Sequence, residues 1–153
     1  MSIENDIKQL TSFRSPYHRA LVNLMYTNNW ICAEHSRMLK KYDLTLQQYN
    51  VLRILRGQHP KPVRVLDITE RMLDKMSNAS RLVDKLLTKK LLQRTECPND
   101  RRAVDVVITE KGLELLRKLD DVMDAQDNRF AALSEEEADL LSHLLDKLRG
   151  SDD

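Results

Sequence analysis

The sequence predicts a mostly α-helical fold with one small β-hairpin, and three observations predict it. Apolar residues recur at helical spacing along most of the 153 residues. Only three glycines and four prolines interrupt them, so turns are few. A single pair of segments, 91–97 and 103–109, alternates with a period of two and is joined by the turn formers of "PNDRR".

The elements follow in order. Residues 17–42 read as one long helix, with Leu21, Leu24, Met25, Ile31, Met38, Leu39 and Tyr42 on its stripe and Asn28, Cys32 and His35 within it. Ser15 and Pro16 supply its N-cap and first turn. The polar segment before it is a frayed arm or a short docking helix. "TLQQYNVLRILRG" is a second helix, opened by a Thr45–Gln48 capping box and stopped at Gly57. After Pro60 and Pro62, residues 65–94 read as two helices with a tight turn near 73–77. The first would bury Leu66, Ile68, Met72 and Leu73. The second would bury Ala79, Leu82, Val83, Leu86 and Leu87, leaving Asn78, Ser80, Arg81, Asp84 and Lys85 outside. The two strands come next, with Val104, Val106 and Ile108 sharing one face. Thr109 caps a further helix carrying Leu115, Leu116, Leu119, Val122, Met123 and Phe130. A last helix opens on the Ser134–Glu137 box, carries Ala138, Leu141, Leu144, Leu145 and Leu148, and ends at Gly150. Helix, helix-turn-helix and hairpin in that order make a winged helix, here over residues 45–109. Residues 1–44 and 110–153 supply helices beyond what a winged helix needs. Their apolar stripes predict a dimerisation region, because exposed patches of that kind mark interfaces. A monomer with these helices folded on each other is the alternative.

Composition excludes several functions. No run of about 18 apolar residues exists to span a membrane, and "MSIENDIKQL" lacks the form of a signal peptide. Cys32 and Cys97 form no metal-like spacing, so a cytoplasmic protein is expected. His18, His59 and His143 share no spacing with acids or cysteines, and no phosphate loop or nucleophile elbow occurs. No catalytic residue, metal or cofactor is therefore expected, and the chain does not read as an enzyme.

Charge points elsewhere. The net charge is +1. Residues 71–102 nevertheless hold nine basic and four acidic side chains, while residues 103–153 hold six and fourteen. A basic middle beside an acidic end suggests a local anion-binding surface. Arg81 has the fork that matches guanine, and Asn78 the amide that matches adenine. Ser77 and Ser80 are short enough for the helix to sit deep, and Lys75, Lys85 and Lys89 are placed for phosphates. At the hairpin tip, Asp100, Arg101 and Arg102 extend the pattern. Two adjacent arginines gain nothing from a core, whereas a narrow, negative minor groove accepts arginine. Asp100 would orient one of them through a forked hydrogen bond.

The segment from Val65 to Gly112 resembles the core of the MarR (multiple antibiotic resistance regulator) transcription factors. The residues that carry the resemblance are "RLVDKL" in the second helix of the pair and "DRRAVDVVITEKG" across the wing, similar to the family's D-x-R followed by L-T-x-x-G. The chain departs from the pattern at Lys90, where the family often has glycine, and in "MLDKM", where a turn glycine is missing. The resemblance implies a homodimer with interlocking terminal helices. It also implies double-stranded DNA with a pseudo-palindromic operator as partner, and repression relieved by a small, often phenolic, molecule. Trp30, His35, Tyr42 and Tyr49 are the candidates for an aromatic effector pocket, although their helical spacing suits plain core as well. Some family members switch by cysteine oxidation, which makes Cys32 or Cys97 the alternative sensor. A winged-helix module that binds an acidic protein is the other alternative.

Overall fold

The computed structural model describes residues 2–96, 104–127 and 130–150. A short helix α1 (Ile3–Asp6) precedes the long helix α2 (Pro16–Leu39), which runs into a 3-10 turn at Lys40–Tyr42. Helix α3 (Leu46–Gln58), strand β1 (Val63–Arg64) and helices α4 (Val65–Arg71) and α5 (Ala79–Thr88) follow. Strands β2 (Leu92–Glu96) and β3 (Val104–Ile108) lead into α6 (Glu110–Asp127), a 3-10 turn at Phe130–Ala132 and α7 (Glu135–Leu148).

Local chemistry sets most of these ends. Ser15 Oγ accepts from the His18 N–H at 3.1 Å, with Pro16 in the first turn of α2. Thr45 with Gln48, and Ser134 with Glu137, form complete capping boxes. Thr109 Oγ1 accepts from the Gly112 N–H at 3.2 Å and starts α6. Gly150 takes φ +84° just beyond α7. The expected stop at Gly57 is corrected: α3 passes through it and ends at Gln58, ahead of Pro60. A glycine with no need of positive φ does not end a helix, whereas a proline two residues past the end excludes its continuation.

The sheet has three strands, not two. β3 lies in the middle, antiparallel to both β1 and β2, with Val63 opposite Val106 and Arg94 opposite the same residue on the other side. Val106 is fully buried there. The core lies between this sheet and the helices, around Leu39, Val51, Leu52, Leu55, Ile68, Met72, Val83, Leu86, Leu116 and Leu119. Gly112 permits the first turn of α6 to close on the sheet. A Cβ there would stand 2.6 Å from the Leu91 carbonyl oxygen and 2.7 Å from Ile108 Cγ1.

Two sequence expectations fail around α4. Leu66 and Leu73 point outward, while Ile68 and Met72 fill the core as expected. The helix ends at Arg71, so residues beyond it no longer follow a helical stripe. The following turn also needs no glycine. Among the described residues, positive φ outside glycine occurs only at Lys8, Asp43 and Lys90. Lys90, at φ +59°, fills the left-handed position beyond α5. The Lys90 N–H reaches the Leu87 carbonyl at 2.9 Å and the Leu91 N–H reaches that of Leu86 at 3.0 Å, which together form a Schellman closure.

The terminal helices are less covered. α7 buries none of its residues, and Leu140, Leu141, Leu144 and Leu148 are exposed. On α2, Leu21, Leu24, Met25, Tyr26 and Trp30 are exposed as well.

Candidate nucleic-acid interface

Helix α5 divides sharply into two faces. Ala79, Val83 and Leu86 are buried, with Leu82 and Leu87 packed partly against the core. Ser80, Arg81, Asp84 and Lys85 are exposed on the other side. The division follows from the 3.6-residue period, which places residues three and four apart on one face. Asp84 is neutralised by Arg94 of β2, whose Nη2 lies 3.1 Å from its Oδ1. Among the described residues, Arg81 and Lys85 form no ion pair.

One of the expected face residues stands elsewhere, and the flanking candidates are differently engaged. Asn78 is the N-cap of α5, not a member of its outer face: Asn78 Oδ1 accepts from the Arg81 N–H at 3.0 Å. The cap uses one of the two lone pairs of the oxygen that a forked contact to adenine would engage. Ser77 turns its hydroxyl oxygen inward, where it is buried without a hydrogen-bond partner. Lys75 is exposed, and its ammonium donates to the Glu70 carbonyl across the turn. Lys89 is drawn away from the outer face. Its Nζ lies 3.0 Å from Asp43 Oδ2 and 3.4 Å from Gln48 Oε1, so it ties the end of α5 to the corner between α2 and α3. Beside that tie, Lys40, Asp43, Leu44, Thr45, Gln48, Lys85, Thr88 and Lys89 line an open cleft of about 470 Å³.

The turn between α4 and α5 holds a feature that the sequence reading does not find. Leu73 and Met76 are 88% and 93% exposed, next to Lys75 and the start of α5. Met76 lies on no helical stripe, and Leu73, expected in the core, stands past the end of α4, so periodicity does not reveal the exposure of either.

Glu96 of β2 and Val104 of β3 form the last described pair of the wing strands. Asp100, Arg101, Arg102 and Cys97 lie outside the described residues. Cys32 is half-buried on α2, with its thiol 3.8 Å from Asn28 Oδ1. The four candidate effector residues do not line the cleft. Tyr49 belongs to the core, where burial pushes its phenol pKa up, and Arg53 sits 5.9 Å from its ring centroid. Tyr42 packs against that core, His35 is half-buried, and Trp30 is 46% exposed on α2. No group of three or more His, Cys, Asp or Glu side chains among the described residues suits a metal ion. None of the described helices is long and apolar enough to cross a membrane.

Comparison with known proteins agrees with this architecture. Residues 44–104 match the model of the MarR family. The HTH-type transcriptional regulator MhqR of Bacillus subtilis is 31% identical over 114 residues, covering 74% of this chain and 77% of that protein. The transcriptional repressor MprA of Escherichia coli is 28% identical over 154 residues, covering 93% of this chain and 86% of MprA. The crystal structure of a MarR transcription factor from Planctomyces limnophilus superposes with a TM-score of 0.66 at 32% identity, covering 88% of this chain and 98% of that one. The chain belongs to the MarR family of winged-helix, DNA-binding transcriptional regulators, which are not enzymes.

Proposed function

We propose that the chain acts as a homodimeric, sequence-specific repressor that leaves a pseudo-palindromic operator when a small aromatic molecule binds. The observation that carries the DNA-reading part is the division of α5, with Arg81 and Lys85 exposed and forming no ion pair among the described residues while Ala79, Val83 and Leu86 anchor the helix. In this reading Arg81 forks onto guanine in the major groove, Ser80 lets the helix approach, and Lys75 and Lys85 meet phosphates. Residues 45–109 make the DNA-reading unit. Arg102 enters the minor groove, Asp100 orients it and Arg101 meets a phosphate.

Residues 1–44 and 110–153 make the dimer in the same reading. Its support is the exposed leucine row of α7 together with the exposed apolar residues of α2. A two-fold dimer sets two recognition helices about one DNA turn apart. Repression is the sense suggested by MprA, a transcriptional repressor similar along nearly the whole chain.

Selection of bound sequences from a random DNA pool, followed by footprinting and light scattering, tests the proposal. The expected result is a dimer on a symmetric site of about 16–20 base pairs. A monomer, or binding without sequence preference, would overturn it.

A further inference from the structure

We propose that Met76 reads the 5-methyl group of a thymine in each half of the bound DNA. The inference deepens the DNA-reading proposal and rests on it.

Met76 is 93% exposed in the same turn as the exposed Leu73, and the other exposed residues along this stretch are polar or charged, among them Arg71, Asp74, Lys75, Ser80, Arg81 and Lys85. An apolar side chain amid such groups has no role in the core, whose place at this corner is filled by Met72 and Ala79. The turn also holds Met76 out rather than leaving it loose. Asp74 Oδ1 accepts from the Met76 N–H at 3.0 Å, and the Asp74 carbonyl accepts from the Ser77 N–H at 3.1 Å. Asn50 Oδ1 of α3 accepts from the Leu73 N–H at 2.9 Å, which fastens the entry to the turn. Lys75 adds a bond from its ammonium to the Glu70 carbonyl. These bonds all use backbone atoms or other side chains, so the methionine itself is left to face outward.

Its place in the chain selects the partner. Met76 stands two residues before the N-cap of α5, at the end of a recognition helix that approaches base edges. The major groove is lined by donors and acceptors, and the thymine methyl is its apolar group. A thioether is unbranched and polarisable, and it adapts to such a contact without demanding one rotamer. Basic neighbours draw the same surface toward phosphates, which argues for DNA over an apolar protein partner.

Deoxyuridine scanning tests this. Each thymine of the selected operator is replaced in turn by deoxyuridine, which keeps the base pair and lacks only the methyl group. Binding is measured for the full-length wild type, Met76→Ala and Arg81→Ala. For the wild type, one position per half-site should cost about four-fold in affinity, the value of burying one methyl. Met76→Ala should be indifferent to that replacement, and Arg81→Ala should remain sensitive to it. Equal sensitivity in the wild type and Met76→Ala, or no sensitive thymine in either, would overturn the inference while leaving sequence-specific binding intact. A change of oligomeric mass in Met76→Ala, with base preference unchanged, would instead assign the patch to a contact between copies. Failure to select any sequence would remove the DNA-reading proposal itself.

Discussion

Arg56 of α3 clasps Asp120 of α6 through one nitrogen: Arg56 Nη1 lies 3.0 Å from Asp120 Oδ1 and 2.8 Å from Oδ2. The carboxylate raises the guanidinium pKa further above its ordinary value, chiefly through this hydrogen bond. Sixty-four residues separate the partners, and the bond joins the winged helix to the helix that leaves it. Both side chains are partly exposed, which limits the stabilisation to about 1 kcal/mol. A double-mutant cycle with Arg56→Ala and Asp120→Ala, read by urea unfolding, should return a coupling energy of that order that shrinks in high salt. A coupling of zero at low salt would mean that packing alone sets the angle between α3 and α6.

Gly112 should be intolerant of any side chain. Both close neighbours of an added Cβ, the Leu91 carbonyl and Ile108 Cγ1, belong to the packed sheet corner and have little room to yield. Gly112→Ala should therefore destabilise by about 2 kcal/mol or more, the upper part of the range for overpacking. Thermal unfolding checks this. An unchanged Tm would show that α6 can shift away from the sheet at no cost.

Lys90 carries the opposite expectation. It occupies a left-handed conformation in which a β-carbon costs about 1 kcal/mol. Lys90→Gly should raise unfolding stability by up to that amount, with the m-value unchanged. Destabilisation would mean that Lys90 makes a compensating interaction through its side chain.

The N-terminal turn should depend on pH. Arg19 Nε donates to Glu4 Oε1 at 2.6 Å, and this bond is the main reason the Glu4 pKa falls from 4.5 to about 2. A depressed carboxylate pKa means that the contact supports α1 fully above pH 4.5 and is lost as pH falls through about 2. Carboxyl titration by NMR should show the low value in the wild type and a return toward the ordinary range in Arg19→Ala. An ordinary value in both would place α1 free of α2.

Features governed by local chemistry were legible in the sequence. The Thr45–Gln48 and Ser134–Glu137 boxes, the Ser15–Pro16 start and the inner face of α5 each need only neighbours within one helical turn. β1 was not legible, because a two-residue strand has no period and exists only through its pairing with β3. Leu73 is exposed for a related reason: the helical stripe does not continue past a helix that stops at Arg71, whereas Leu66 lies within α4 on its outer side. At the candidate site, Arg81 and Lys85 could be placed by period alone. Asn78 could not, since a residue at the first position of a face and an N-cap look alike until the helix start is fixed. Met76 gave no signal because its exposure follows from the turn's hydrogen bonds.

The central claim is that the outer face of α5 reads base sequence, and Arg81 is its most exposed test. Selection from a random DNA pool should be run in parallel on the wild type and Arg81→Ala, with affinities measured on the winning sequences. The account predicts a loss of about 1–3 kcal/mol for Arg81→Ala and relaxed preference at one base pair in each half-site, with the other positions retained. An Arg81→Ala protein that selects the same sequence with the same stringency at every position would contradict it.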